Sequence, residues 1–181
     1  IGGVKEITTS IRAGEKIIWM HCASAGEFEQ GKPVIEELKK YYDNHKILVT
    51  FFSPSGYSIG KNYKQADYVF YLPIDTPKNA KRFIQNVQPT LVIFVKYDFW
   101  YHHLKAVADR KIPLLLISSI FRNNQVFFKW YGGFNRKMLK LFSWLFVQDE
   151  ASKDLLLSIN IKNCSVSGDT RFDRVASIAA V

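Results

Sequence analysis

Cysteine, acidic side chains and long apolar runs are all scarce in this sequence. The two cysteines, Cys22 and Cys164, lie far apart and form no CxxC pair, which excludes a disulfide-dense secreted framework and fits a reducing compartment. No run reaches the roughly 18 to 20 apolar residues that cross a bilayer, and the first residues lack the basic head and apolar core of a signal peptide. Nucleotide-loop signatures are missing too: ASAGEFEQG has neither the GxGxxG order of a dinucleotide fold nor the GxxxxGK[ST] order of a triphosphate loop, which weakens a dehydrogenase reading. There is no G-x-S-x-G nucleophile turn, and the adjacent His102 and His103 point in different directions on a helix, so they make no zinc pair. No cluster has convincing metal spacing.

What is present is a core and a surplus of positive charge. The 181 residues are 48% hydrophobic, enough to fill one domain, and 25 Lys plus Arg against 16 Asp plus Glu leave a formal charge of +9. An excess of that size favours anionic partners: nucleic acid, a substrate phosphate or an acidic membrane surface. The opening IGGVKEITTSIRAGEK reads as the middle of a longer polypeptide, so a piece cut from a larger chain is expected.

Short apolar runs alternate with amphipathic stretches along the chain. Strands are predicted at 17–22, 46–52, 68–72, 91–95, 113–117, 144–147 and 164–166. Helices are predicted at 30–42, 57–65, 77–87, 99–109, 134–142 and 150–158, with a last one from Phe172 onward. Pro77 sits in a first helical turn behind Asp75 or Thr76 as cap, and Pro89 ends that helix. Six or seven β-α repeats without a hairpin signal argue for an α/β, Rossmann-like parallel sheet with helices on both faces.

The stretch that organises the rest is residues 17–31, IIWMHCASAGEFEQG. An apolar strand gives way to a Ser/Ala/Gly turn, and Glu27 follows at a helix start, on the sheet edge where open α/β folds bind ligands. Ser24 and Glu27 have the S-x-x-E spacing of a capping box, so Glu27 reads either as a cap or as a carboxylate that takes a proton from a substrate hydroxyl. The helix start is expected to hold it ionised. Ser53, Ser55, Gly56 and Asp75 follow the second and third strands on the same edge, as caps and a turn glycine or as the lining of a polar pocket. Lys96, Tyr97, Asp98 and Trp100 follow the fourth strand. They suit a phosphorylated sugar, or a local Lys96–Asp98 ion pair with Trp100 as packing. His21, inside the first strand, reads as a hydrogen-bonded core histidine rather than a ligand.

A second constellation interleaves Arg122, Lys129, Trp130, Arg136, Lys137 and Lys140 with Phe127, Phe128, Phe134, Leu139 and Phe142. Such a segment can sit at a lipid headgroup boundary, stack on single-stranded nucleic acid, or serve as an ordinary core-facing helix with a basic back.

In order and spacing, HCASAGEFEQGKPVIEEL, VTFFSPSGY, YLPIDTPKNAKRFIQNVQP, the Lys96–Trp100 stretch and SVSGDTRFDRV resemble the amino-terminal half of the 3-deoxy-D-manno-octulosonic acid (Kdo) transferases. The resemblance runs over nearly the whole chain. It implies the amino-terminal half of a GT-B type glycosyltransferase: residues 1–181 as a single acceptor-side domain, without the carboxyl-terminal domain that holds most of the donor site. It further implies inverting transfer of Kdo from CMP-Kdo to the lipid A precursor lipid IVA, with Glu27 as general base and Ser24, Gly26, Ser53, Ser55, Gly56, Asp75, Lys96 and Asp98 around the acceptor. No cofactor or metal is implied, because the donor is a sugar monophosphate. The basic-aromatic segment is then expected to contact phosphates of the anionic inner membrane at its cytoplasmic face, with no nucleic acid involved. The sequence departs from the family pattern after the fourth strand, where two glutamates are usual and Lys96 and Asp98 stand instead. SSIFRNN likewise lacks the usual Asn-Ala-Arg order. The alternatives are another glycosyltransferase with a membrane acceptor, or a non-enzymatic basic module for lipid or nucleic acid.

Overall fold

In the computed structural model, which describes residues 10–168, all seven strands run parallel in one sheet of order β3-β2-β1-β4-β5-β6-β7. The strands are β1 (Lys16–His21), β2 (His45–Phe51), β3 (Tyr68–Tyr71), β4 (Pro89–Val95), β5 (Leu114–Ser119), β6 (Trp144–Val147) and β7 (Cys164–Val166). The helices are α1 (Ala25–Tyr41), α2 (Pro54–Gly60), α3 (Pro77–Val87), α4 (Tyr101–Ala108), α5 (Gly133–Leu139) and α6 (Glu150–Ser158), with a single 3-10 turn at Val126–Phe128. The expected last helix from Phe172 lies outside the described residues.

Period-two alternation splits the strands between two apolar layers. From β1, Ile17 and Trp19 join Phe83, Ile84 and Val87 of α3 and Leu104 and Val107 of α4 on one face. Ile18 and Met20 join Phe28, Val34, Ile35 and Leu38 of α1 on the other. Because both faces are covered, the central strands are apolar at nearly every position, which is why they read as continuous runs and not as alternations.

Local chemistry moved several predicted boundaries. α1 begins at Ala25, five residues before the expected start, because the Ser24 hydroxyl caps it. α2 is likewise set by the Ser53 cap and by Pro54 in its first turn, and it stops at Gly60. Pro89 does not end α3; it is the first residue of β4, paired with Ile17, and Gln88 in a left-handed conformation terminates the helix. β5 continues to Ser119 through an irregularity at Ser118, whose φ is 55°.

The chain winds outward from β1 to β3, then returns to the middle and winds the other way from β4 to β7. β1 and β4 are therefore neighbours at the topological switch point, the place on the carboxyl edge where open α/β sheets bind ligands. The chain leaving β1 enters α1, whose first turn holds Glu27, and the loop leaving β4 carries Lys96–Trp100.

Candidate active site

Ala23 is the hub of the first loop. Its backbone N–H donates to Glu27 Oε2 at 2.6 Å, and its carbonyl accepts from the N–H groups of Phe52 and Ser53 at 3.3 and 2.8 Å. The Glu27 N–H donates to Ser24 Oγ at 3.4 Å, so the capping box forms, with the carboxylate reaching one residue beyond the cap. Glu27 Oε2 accepts from the Ala23 N–H, which fixes the half-buried side chain at the carboxyl edge of the sheet.

The preference that the helix start gives the Glu27 carboxylate meets opposing surroundings. Burial pushes its pKa up, the Ala23 N–H opposes that, nearby Asp98 pushes it further up, and Lys96 pulls it down; the net direction is upward. A carboxylate tuned this way is a better proton acceptor than an exposed one.

Asp98 is the end point of a buried hydrogen-bond chain. Trp19 Nε1 donates to Thr50 Oγ1 at 2.8 Å, Thr50 Oγ1 lies 2.9 Å from His21 Nδ1, and His21 Nε2 lies 3.2 Å from Asp98 Oδ2. Trp100 Nε1 donates to the same Asp98 oxygen at 2.9 Å. Trp19, His21 and Thr50 are fully buried. Burial lowers the His21 pKa against the opposing pull of Asp98, which favours the neutral ring. Burial would raise Asp98, but the bonds from His21 and Trp100 outweigh it and hold the carboxyl below its ordinary range. The alternative of a local Lys96–Asp98 ion pair is not realised; Asp98 is instead hydrogen-bonded to His21. Lys96 instead sits in a left-handed conformation, φ 63°, and acts through its charge on Glu27.

Other predicted site residues divide. Ser53 caps α2 by accepting from the Gly56 N–H at 3.1 Å and lies 3.2 Å from the Ser55 hydroxyl; Ser55 is exposed. Gly26 is exposed at the start of α1 with open space where a Cβ would stand. Gly56, expected at the acceptor, is buried: a Cβ there would fall 2.6 Å from the Phe51 ring and 3.1 Å from the Ser24 carbonyl carbon, so its smallness serves packing. Asp75 is not the cap of α3; Thr76 is. Asp75 instead accepts from the N–H groups of His102 and His103 and from His103 Nδ1, at 3.1, 3.0 and 2.7 Å, supplying the cap that Trp100 cannot give α4. Both its oxygens are thereby engaged, away from an acceptor role.

The basic-aromatic constellation borders the chain that follows β4: the Phe134 ring lies 4.9 Å from Tyr101 and that of Phe127 5.4 Å from Phe99. Trp130 is 92% exposed, Tyr131 61% and Phe134 54%, beside exposed Lys137 and Lys140 and the half-buried Lys129. Phe127, Leu139 and Phe142 turn into the core. Arg136 does not offer its whole guanidinium outward, because Nη1 donates to the carbonyls of Phe127 and Lys129. Arg122 is exposed near Asp149, whose carboxyl its charge helps to lower.

Thr50 and the ordering role of His21 were missed by motif reading. The available signal was register: in neighbouring β1 and β2, His21 and Thr50 are direct partners, two polar residues inside apolar strands. Among the described residues no group of three or more His, Cys, Asp or Glu stands together as a metal site would require.

The fold is a Rossmann-like parallel sheet of the GT-B type. Solved structures of similar fold include UDP-GlcNAc 2-epimerase from Neisseria meningitidis (TM-score 0.59, 23% identity, 84% of this chain and 46% of that one) and MurG from Acinetobacter baumannii (0.57, 10%, 87% and 46%). Residues 3–174 match the family model described as 3-deoxy-D-manno-octulosonic-acid transferase (kdotransferase), and the chain belongs to that family. Curated relatives named 3-deoxy-D-manno-octulosonic acid transferase include those of Aquifex aeolicus, 30% identical over 65% of this chain and 32% of the relative, and Rickettsia felis, 29% identical over 94% and 37%. The chain thus spans about a third of the length of these relatives.

Proposed function

We propose that this domain presents the acceptor in the transfer of Kdo from CMP-Kdo to a lipid A precursor, and that Glu27 is the general base. The observation that carries the reading is that two fixed carboxylates stand at the switch point: Glu27, held by the Ala23 N–H after β1, and Asp98, held by His21 and Trp100 after the neighbouring β4. The acceptor hydroxyl gives its proton to Glu27 as its oxygen attacks the anomeric carbon of Kdo. The bond from that carbon to the CMP phosphate breaks, CMP leaves with the electron pair, and the configuration inverts. Asp98 accepts a hydrogen bond from a neighbouring sugar hydroxyl and Lys96 meets an acceptor phosphate, while Ser24, Gly26, Ser53 and Ser55 form the rim.

CMP-Kdo is held mainly by a second domain, in the part of the relatives' length that this chain does not span. No described helix is long and apolar enough to cross a membrane. Trp130, Tyr131 and Phe134 with Lys129, Lys137 and Lys140 support peripheral docking on the cytoplasmic face of the inner membrane, rings among the headgroups and cations on lipid phosphates. Arg122 and the free side of Arg136 add to that charge.

The test is Kdo transfer from CMP-Kdo to lipid IVA by the full-length protein and its Glu27→Gln form, with CMP-Kdo binding measured in parallel. Transfer is expected to fall about 10²–10⁴-fold with donor binding retained. Undiminished transfer removes Glu27 from the mechanism. The isolated domain is expected to turn over nothing.

A further inference from the structure

Phe52 is a large apolar side chain left 53% exposed immediately after β2, on the carboxyl edge of the sheet and next to the strand that leads to Glu27. A lone exposed ring requires no explanation. This one is neither lone nor loosely held. Its ring lies 4.7 Å from that of Trp100 at 48° between planes, so the two form the sides of a shallow aromatic angle.

Each half of the pair is tied to one of the two carboxylates. Phe52 donates its backbone N–H to the Ala23 carbonyl, and the N–H of the same Ala23 donates to Glu27. Trp100 donates its indole N–H to Asp98. The two acids and the two rings are therefore one construction, held by Ala23 on one side and by the His21–Asp98 pair on the other. Charged acceptors around an aromatic surface match a pyranose ring, whose equatorial hydroxyls seek carboxylates and whose axial C–H face is apolar. An unoccupied Glu27 needs neither ring, since its own orientation comes from the Ala23 and Ser24 bonds.

The geometry points to Phe52 and Trp100 as the platform on which the acceptor sugar ring lies, C–H face down, with its attacking hydroxyl turned to Glu27. This subsite rests on the transferase reading above and adds to it the surface that sets the orientation of the ring. Phe52 acts by binding and takes no part in the proton transfer.

The experiment uses the full-length protein as wild type, Phe52→Ala and Phe52→Trp, in steady-state transfer from CMP-Kdo to lipid IVA. Phe52→Ala is expected to raise the acceptor KM about tenfold and to leave kcat and the CMP-Kdo KM within about twofold, with Phe52→Trp restoring the acceptor KM. An unchanged acceptor KM in a wild type that transfers Kdo overturns the platform and leaves the Kdo reading standing. So does a rise confined to the CMP-Kdo KM, which assigns the ring to the donor side. If the wild type transfers no Kdo, the functional reading falls, and the platform is judged by saturation-transfer NMR with the phosphorylated glucosamine disaccharide freed of its acyl chains. Saturation of the ring C–H protons in the wild type, lost in Phe52→Ala, supports it; equal saturation in both forms, or none in either, overturns it.

Discussion

His21 Nε2 donates to Asp98 Oδ2 across 3.2 Å, joining the centre of the sheet to the loop after β4. The donor direction follows from the partners. Thr50 Oγ1 accepts from Trp19, its own hydroxyl hydrogen goes to His21 Nδ1, and the ring proton is left on Nε2, facing the carboxylate. Thr50→Val keeps the volume and removes the link, leaving the Trp19 N–H and His21 Nδ1 buried without a partner. A loss of about 1–3 kcal/mol per stranded group is expected in denaturant unfolding. Nitrogen-15 NMR of His21 should show the tautomer no longer fixed; an unchanged spectrum would contradict the chain.

The pH dependence of transfer has a sign that the site fixes. In the proposed role as general base Glu27 must be ionised to accept the proton, so the acid limb of kcat/KM would report its pKa, which burial and Asp98 raise and Lys96 lowers. Asp98→Asn removes the like charge and is expected to move that limb to lower pH. Lys96→Met removes the opposite charge and moves it to higher pH. Limbs moving together in one direction would show that neither charge reaches Glu27.

Stability should respond to Glu27 in the opposite sense from activity. A carboxyl whose folded pKa is raised binds its proton more readily folded than unfolded, so ionisation costs stability above the folded pKa, and the cost disappears as pH falls toward the unfolded value. Glu27→Gln keeps an oxygen for the Ala23 N–H without the charge. It is expected to melt above the wild type at pH 7, the difference closing as pH falls toward 4.5, the ordinary glutamate value. Glu27→Ala also loses the cap and should cost about 0.5–2 kcal/mol against Glu27→Gln.

The sheet was legible because its signal is local and strong. Apolar runs such as Leu91–Val95 and Leu114–Ile117 have few readings other than buried parallel strands, and the Ser24–Glu27 spacing announced a helix start. What could not be read were the uses of side chains that meet across the sequence. Asp75 looks like a local cap, yet its partners lie 27 and 28 residues away on α4. Lys96 and Asp98 look like a neighbouring ion pair, but a left-handed Lys96 lets Asp98 face His21, 77 residues distant. Gly56 reads as a turn glycine, and only the position of the Phe51 ring shows that it is a packing site.

Two glycines separate packing from contact. An alanine methyl at Gly56 would fall 2.6 Å from the Phe51 ring, so Gly56→Ala is expected to cost about 1–3 kcal/mol through overpacking. Gly26→Ala meets nothing within 4 Å, lies in the first turn of a helix and should leave the melting temperature unchanged or slightly higher. If Gly26 lines the acceptor site, the same change raises the acceptor KM at full stability. Thermal scans beside steady-state kinetics distinguish the two cases.

The proposed membrane docking can be tested apart from Kdo transfer, by binding to vesicles. Trp130 is 92% exposed, so burying it in a headgroup layer recovers apolar contact that the domain itself does not supply. Lys137 and Lys140 are exposed beside it, each contributing about 1 kcal/mol near an anionic surface. Neutralising both as Lys137→Gln and Lys140→Gln is expected to weaken partitioning onto phosphatidylglycerol vesicles by about 30-fold at low salt, with a smaller effect at high salt. Trp130→Ala should weaken it further by an amount that salt does not change, because that part is apolar. Binding that ignores all three substitutions would move the membrane contact to another face of the protein.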